Sequence, residues 1–307
     1  MLKLDNLSKR YGSHGALRGL SLDVAEGSAF ALIGANGAGK TTTIKLLMNI
    51  LQPDEGSAQI FGVDSRNLTI RELARIGYVS ENQKLPAALS LAEYLAYLRP
   101  FYRTWDRDLE AKVLKLLRLP VDRKISQLSH GNRMKAALAC ALCYHPELLI
   151  LDEPFNGLDP LIRDEFMEGV LQQAGQMTLF ISTHDLSDIE TFATDVAFLS
   201  EGQLLFQESM ESLMQRHRSV NITLDDDVLP ATLPASWINR RQSGSVLSFI
   251  DSNFSEEDLQ HDLETLGLVH RHLEVQPIGL RSVFTATARA VSPALHEEVA
   301  IGTSHLS

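Results

Sequence analysis

The sequence predicts an α/β fold with a mostly parallel sheet, an N-terminal antiparallel β subdomain, an inserted helical subdomain and a small C-terminal α+β domain. Three short apolar runs, SAFALIG, LLILDEP and TLFISTHD, have the length and composition of buried strands. Segments with helical periodicity separate these runs. Strands that alternate with helices indicate an α/β core built on a mostly parallel sheet.

Other elements follow from local patterns along the chain. Residues 1–27 alternate apolar and polar positions, which predicts a small antiparallel sheet. Residues 85–147 carry leucines and valines at helical spacings, which predicts the helical subdomain. The segment DVAFLSEGQLLFQ is typical of a hairpin that turns at Glu201 and Gly202. A helix is expected from about Leu161 to Ala174.

A glycine-rich loop lies between the first apolar run and a helix predicted from about Lys40 to Leu51. The segment GANGAGKT, which begins at Gly34, matches the pattern G-x-x-x-x-G-K-[ST]. Glycines let successive backbone N–H groups curl around phosphates, and the helix N-terminus adds partial positive charge. The lysine of this pattern reaches the β- and γ-phosphates, and the next hydroxyl binds Mg²⁺. The sequence therefore predicts a P-loop NTPase core that binds ATP and Mg²⁺. The ATP contacts predicted in this loop are Gly34, Asn36, Gly37, Gly39, Lys40, Thr41 and Thr42.

Two adjacent acids end the second apolar run. Asp152 lies where an α/β sheet presents ligands, and a carboxylate there can hold the water shell of Mg²⁺. Glu153 follows it and is well placed to polarise the attacking water as a general base. On its own, a second acid here is as easily a surface residue at a strand end. Beside the phosphate loop, it predicts an ATPase.

More than 100 residues, mostly helical, separate the phosphate loop from these acids, and Leu128-Ser-His-Gly-Asn stands before the last helix. Together these motifs resemble the ATP-binding cassette (ABC) family, whose signature at this place is LSGGQ. The resemblance covers about residues 1–215. It implies that Tyr11 stacks on adenine, that Gly157-Leu-Asp forms the D-loop, and that His184 contacts the γ-phosphate. The catalytic residues it implies are Lys40, Glu153 and His184.

The family's fold keeps the signature away from the phosphate loop of its own chain. The resemblance therefore implies a head-to-tail dimer, homo- or hetero-, with two ATP molecules between the copies. The residues implied to contact the ATP of the opposite copy are Ser129, His130, Gly131 and Asp159.

The motifs depart from the family pattern in two places. His130 and Asn132 replace a glycine and the glutamine of the signature. An imidazole near the phosphate is expected to slow turnover or to make it pH-dependent; alternatively, the ring points away and is tolerated. Glu81 replaces the glutamine that contacts Mg²⁺, and a carboxylate can still ligate the metal. The implied Mg²⁺ ligands are thus Thr41, Glu81 and Asp152.

The segment after Glu81 resembles bacterial drug- and peptide-exporter cassettes of the ABC-2 type. The resemblance implies a separate membrane-spanning permease as partner and a peripheral location at the cytoplasmic face of the plasma membrane. The aromatics of residues 94–105 are candidates for docking that partner, although some are expected in the core. The alternatives are a soluble regulatory ABC ATPase not coupled to transport, and a nucleotide-binding module with little catalysis.

Charge and composition set further limits. The formal net charge is −11, which argues against a nucleic-acid partner. Most of this negative charge lies after residue 220, where the chain has 12 acids and 5 arginines. No apolar run is long enough to span a membrane as a helix. Cys140 and Cys143 are expected to be small core residues. The predicted domains are a cassette of residues 1–218, an accessory domain of residues 220–290 and a flexible tail of residues 291–307.

Overall fold

A computed structural model describes residues 1–174, 177–226 and 228–291, so the predicted tail lies, but for Val291, outside the described residues. The chain forms two compact units, and the first ends at Gln207. The helix Met210–Arg216 thus falls in the second unit, although the expected boundary at residue 218 had assigned it to the first. Its contacts explain this, because the Arg216 carbonyl accepts from the Phe254 N–H at 2.8 Å.

The first unit follows the predicted alternation of strands and helices. Its elements in chain order are β1 (Leu2–Tyr11), β2 (His14–Val24), β3 (Ala29–Ile33), α1 (Lys40–Leu47), β4 (Glu55–Ile60), β5 (Val63–Asp64), α2 (Ile70–Leu73), β6 (Ile76–Ser80), α3 (Leu91–Leu98), α4 (Arg107–Leu116), α5 (His130–Leu142), β7 (Leu148–Asp152), α6 (Pro160–Ala174), β8 (Thr178–Thr183), β9 (Asp195–Ser200) and β10 (Gln203–Ser209).

A six-stranded sheet of order β10-β9-β3-β8-β7-β6 forms the centre of this unit. The pairs β9–β3, β3–β8, β8–β7 and β7–β6 are all parallel, which confirms the predicted α/β core. The apolar runs form its middle strands, where Phe30 of β3 stacks on Phe180 of β8 with ring centroids 5.6 Å apart. Strand β7 is buried at every position. The carboxyl ends of these strands therefore meet at one edge of a rigid sheet.

An antiparallel sheet of order β2-β1-β4-β5 lies at the N-terminus, as the alternation of residues 1–27 predicted. The sheet is larger than expected, since β4 and β5 add residues 55–64. Its buried leucines share one apolar core with β3 and α1. Helix α1 ends at Leu47 rather than near Leu51, because Asn49 takes a left-handed φ of 55°.

The predicted helical subdomain contains α3, α4 and α5. Glu110 ties it together, since Arg99 forms an ion pair with this carboxylate at 2.6 Å and Trp105 Nε1 donates to it at 2.7 Å. Both cysteines are buried in α5 or at its end, as expected, and burial raises the pKa of Cys140 to about 12. Such thiols stay protonated at neutral pH and are unreactive.

The expected hairpin joins β9 to β10. Glu201 and Gly202 have φ values of 47° and 78°, the paired left-handed residues of a tight hairpin turn. The Gly202 N–H donates to the carbonyl of Ala38, so this turn packs beside the glycine-rich loop.

The second unit is a four-stranded sheet with helices. Its elements are α7 (Met210–Arg216), β11 (Arg218–Leu224), β12 (Trp237–Ser243), β13 (Val246–Asp251), α8 (Glu256–Thr265), β14 (His270–Pro277) and α9 (Leu280–Val291). The strand order is β12-β13-β11-β14. Ser255 caps α8 by accepting from the Asp258 N–H, and Gly267 follows the helix with φ 65°. Leu259 and Leu263 of this helix cover one face of the sheet.

None of the helices in the described ranges is both long and apolar enough to cross a lipid bilayer.

Candidate functional site

A cleft of about 350 Å³ opens beside the glycine-rich loop. It lies at the carboxyl ends of the central strands and is bordered by the turn between β1 and β2. Its lining residues are Tyr11, His14, Ala16, Asn36, Gly37, Gly39, Lys40, Thr41, Thr42, Glu81, Glu153 and Asn156. The structure thus brings together most of the residues that the sequence predicted for ATP, and it adds His14, Ala16 and Asn156. Gly34, the first residue of the loop, is not among the lining residues, and a Cβ there would collide with the carbonyl of Leu199.

The loop itself needs glycine at the point where it enters α1. Gly39 is the N-cap of this helix, and its φ of 110° is open to glycine but strained for other residues. A Cβ there would lie only 2.6 Å from the carbonyl oxygen of Ala16. The backbone can therefore close tightly over β2 and leave the start of α1 facing the cleft.

Lys40 is held by oxygen atoms on all sides. Its Nζ donates to the carbonyls of Gly34 at 2.7 Å and Ala35 at 3.0 Å, and it lies 2.9 Å from Glu153 Oε1. An ammonium group has three N–H donors, and these three oxygens satisfy them. The side chain is only 4% exposed, so the charge is fixed in place.

Asp152 closes β7 and is 3% exposed. Its Oδ1 accepts from Thr41 Oγ1 at 3.0 Å and from Ser182 Oγ at 2.7 Å. Burial raises the pKa of this carboxyl, and the two hydroxyls offset part of that rise. The sequence did not predict Ser182 as a site residue, although it stands two residues before His184. Because β7 and β8 are parallel with Asp152 opposite Ser182, the contact was accessible only from the strand register.

Glu153 adopts a left-handed backbone conformation with φ 50°. Its N–H donates to both the carbonyl and the hydroxyl of Ser182 at 3.1 Å. A non-glycine residue keeps such a strained backbone conformation only where the surrounding contacts hold it there. Residues of this kind concentrate at functional sites. The conformation points the carboxylate into the cleft, between Lys40 and His184, whose Nδ1 lies 2.8 Å from Glu153 Oε2.

The electrostatics of this pair have a definite direction. Burial alone would raise the pKa of Glu153, but the hydrogen bond from His184 and the charge of Lys40 lower it below its usual value. The same hydrogen bond raises the pKa of His184, against the opposing effect of burial. The two side chains therefore form an ion pair at moderately acidic pH.

We expect Glu153→Gln to lower the pKa of His184, because the variant removes the carboxylate that stabilises the imidazolium. Titration of the His184 ring by NMR, in the wild type and in the variant, measures this. An unchanged His184 titration in Glu153→Gln would contradict the ion pair.

The same pair predicts a pH-dependent stability. A raised histidine pKa stabilises the folded state fully below the unfolded value of about 6.5, and this contribution is lost as pH rises through the folded pKa. The lowered glutamate pKa contributes above about 4.3 and is lost as pH falls through the folded value. We therefore expect His184→Gln to lower Tm most between about pH 4.5 and 6.5, and little at pH 9. Equal Tm differences at pH 5.5 and 9 would show that the pair contributes nothing.

The oxygen atoms at one side of the cleft suit a hard cation. Thr41 and Asp152 place a hydroxyl and a carboxylate 3.0 Å apart, and the Glu81 carboxylate lines the same cleft. In the part of the chain that the structure describes, no group of three or more His, Cys, Asp or Glu side chains could by itself hold a metal ion. Mg²⁺ that binds together with nucleotide phosphates needs only one or two carboxylates, so the donor set fits Mg²⁺.

The predicted signature lies outside this cleft. Ser129 caps α5 by accepting from the Asn132 N–H at 3.2 Å, and Asp159 caps α6 by accepting from the Ile162 N–H at 3.1 Å. Gly131 packs so closely on α6 that a Cβ would lie 2.7 Å from Ile162 Cδ1. The two helix starts are therefore fixed next to each other and away from the phosphate loop of the same chain.

The parallel sheet, the loop that enters α1 and the paired acids at the end of β7 define the first unit as an ATPase of the P-loop class. Residues 17–156 match the family described as ABC transporter. Over 222 residues the chain is 34% identical to the bacitracin transport ATP-binding protein BcrA of Bacillus licheniformis, covering 71% of this chain and 72% of that protein.

Two further similarities agree with this match. The lantibiotic transport ATP-binding protein SrtF of Streptococcus pyogenes is 32% identical over 69% of this chain and 92% of its own length. A solved ATP-binding cassette, dimeric in a post-hydrolysis state with ADP and Pi, has a TM-score of 0.60 and 26% identity; the match covers 68% of this chain and 99% of that one. The chain therefore belongs to the ABC transporter ATP-binding proteins. It is an ATP-hydrolysing subunit of a transporter.

Proposed function

We propose that this subunit binds MgATP in the cleft beside Lys40 and uses its hydrolysis to power export of a peptide-like compound through a separate permease. The observation that carries the proposal is the meeting of Lys40, Glu153 and His184 at one point of the phosphate cleft. The substrate class rests on the relatives, whose names assign them to bacitracin and lantibiotic transport.

We assign a part of ATP to each wall of the cleft. Tyr11, 48% exposed at the end of β1, offers its ring to the adenine. The loop from Asn36 to Thr42 surrounds the phosphates with backbone N–H groups, and Lys40 contributes the charge between them. ATP must displace the contact between Lys40 and Glu153, which frees the carboxylate for its role in hydrolysis.

Thr41, Asp152 and Glu81 would hold Mg²⁺, which neutralises charge on the β- and γ-phosphates when it is bound. Glu153 orients a water molecule for attack and accepts its proton. His184 donates to Glu153 and contacts the γ-phosphate when nucleotide fills the cleft. Ser182 keeps both acids in place through its hydroxyl and its carbonyl.

The signature residues act on the nucleotide of a second cassette, homologous or identical. Ser129, His130, Gly131 and Asp159 stand at two helix starts outside their own cleft, which supports a role across a dimer interface. ATP then closes the dimer, and loss of the γ-phosphate reopens it.

The permease would receive this motion at the aromatic segment of the helical subdomain, at the cytoplasmic face of the membrane. Tyr97 and Phe101 are 59% and 62% exposed, and their ring centroids are 5.3 Å apart. Tyr102 instead stacks on Tyr144 at 3.9 Å, and Trp105 donates to Glu110. The five aromatics expected in this region thus divide into an exposed pair and three half-buried rings, Tyr94, Tyr102 and Trp105. The exposed pair is the better candidate for contact with a partner.

We expect the double variant Tyr97→Ala, Phe101→Ala to keep the ATPase activity of the isolated subunit within about twofold, because neither ring lines the cleft. The same variant should lose most permease-stimulated activity, since anchoring aromatics contribute about 2 kcal/mol or more each at interfaces. The control is Ile70→Ala, an even more exposed apolar residue on α2. Full stimulation in the double variant would place the docking surface elsewhere.

The transport function is tested in membrane vesicles that hold the subunit and its permease. ATP should drive accumulation of bacitracin or a lantibiotic in inverted vesicles, and Glu153→Gln should abolish it. ATPase activity that ignores the permease, with no peptide transport, would refute the proposal.

A further inference from the structure

Asn156 lies at the centre of a short chain of hydrogen bonds that links three separate segments. Its Nδ2 donates to Glu81 Oε2 at 2.9 Å, and its backbone carbonyl lies 3.1 Å from His130 Nε2. A carbonyl oxygen only accepts hydrogen bonds, so Nε2 of this imidazole carries the proton. The three residues connect the start of α5, the turn after β7 and the segment after β6.

The position of the imidazole depends on the backbone below it. Gly157 has φ 69°, and a Cβ built there would lie 3.6 Å from His130 Cδ2 and 3.8 Å from Nε2. The ring therefore lies over the glycine at contact distance. Asn156 itself is held in a turn, because its N–H donates to the Glu153 carbonyl at 3.3 Å. A rigid turn thus separates the imidazole from the catalytic acid.

The two departures from the family motifs meet at this turn. His130 stands where the resembling signature has glycine, which offers no side-chain donor to a carbonyl. Glu81 stands where the family has glutamine, and its carboxylate makes the bond from Asn156 charge-assisted. Both Glu81 and Asn156 line the nucleotide cleft, whereas His130 does not.

We propose that His130 is a positioning residue that, through Asn156, fixes Glu81 at the wall of the nucleotide cleft of its own chain. The link makes the signature helix and the phosphate site of one copy move together, because a hydrogen bond weakens steeply once its atoms leave a narrow range of distance and angle. The positioning of Glu81 by His130 is independent of the proposed function, and only the contact of Glu81 with bound nucleotide rests on it.

The link is tested first without nucleotide. In the wild-type protein the side-chain amide of Asn156 should give an NMR signal distinct from that of a free surface asparagine. His130→Ala should move this signal toward the free position, as Glu81→Ala should, although His130 contacts only the backbone of Asn156. His130→Gln should restore it, because an amide nitrogen reaches about as far as Nε2. His145→Ala, a histidine paired with Asp106 elsewhere, is the control.

The consequence is tested by equilibrium binding of a fluorescent ATP analogue with Mg²⁺, at protein concentrations too low for dimers. His130→Ala should weaken binding about 2- to 12-fold, the range of one net hydrogen bond, and His130→Gln should stay within twofold of wild type. In a Glu81→Ala background, His130→Ala should have no further effect, since residues joined through one partner are not additive.

The possible results separate the two ideas. An Asn156 signal that ignores His130, or effects of His130→Ala and Glu81→Ala that simply multiply, would overturn the positioning role. A signal that responds as expected while every variant, Glu81→Ala included, binds like wild type would overturn the nucleotide role proposed for Glu81.

Discussion

Replacing Glu153 by glutamine is expected to lower ATP turnover by about 100-fold or more, the scale of a lost general base, while ATP binding is kept. Glutamine has the same shape, and its carbonyl oxygen can still accept from Lys40 or from His184. It cannot accept a proton from the attacking water. The variant should therefore hold MgATP without cleaving it, and two cassettes should stay associated far longer than in the wild type.

Phosphate release in single turnovers measures the chemical step, and size-exclusion chromatography with MgATP measures the dimer. The matched control is Glu147→Gln at the opposite end of β7, where the carboxylate forms an exposed ion pair with Arg75 at 2.6 Å. Turnover near the wild-type rate in Glu153→Gln would contradict the general-base role of Glu153. If MgATP does not bring two Glu153→Gln copies together, with or without the permease, the proposed ATP-driven dimer is wrong.

The contiguous motifs of the first unit were predictable because each carries its chemistry within a few neighbouring residues. The glycine-rich loop, Asp152 and Glu153 all lie where strand–loop–helix order placed them. Contacts across the sheet were not predictable in the same way. Ser182 reaches both acids only because β7 and β8 pair in a register that a single sequence does not reveal.

The second unit was harder to predict for a different reason. The apolar residues buried by β11 and β13 alternate along the sequence, and those buried by α8 recur at helical spacing. These three elements can therefore be recognised from the sequence. β12 and β14 are edge strands whose residues are mostly exposed, and Leu273 and Val275 are the only aliphatic residues of His270–Pro277. Edge strands carry charges that discourage pairing with other chains, and this removes the periodicity by which strands are recognised.

Replacing Lys40 by methionine should lower ATP turnover about as much as Glu153→Gln, and it should also weaken ATP binding. The charge-assisted bonds of one lysine to phosphates contribute about 1.5–3 kcal/mol, so ATP affinity should fall by about 10- to 150-fold. Loss of the same charge in the transition state should cost about a further 100-fold or more in turnover. Titration with a fluorescent ATP analogue and steady-state hydrolysis separate the two effects.

Lys40→Arg then distinguishes charge from geometry. The ammonium group is enclosed by the carbonyls of Gly34 and Ala35 and by Glu153, at 2.7 to 3.0 Å, in a position only 4% exposed. A planar guanidinium with five donors does not fit three oxygens arranged around a single nitrogen. Lys40→Arg should therefore resemble Lys40→Met, whereas Lys45→Met, a half-buried lysine in the last turn of α1, should bind ATP like the wild type. Near-normal affinity and turnover in Lys40→Arg would mean that positive charge alone suffices, and that the enclosed position of this amine has no part in gripping the nucleotide.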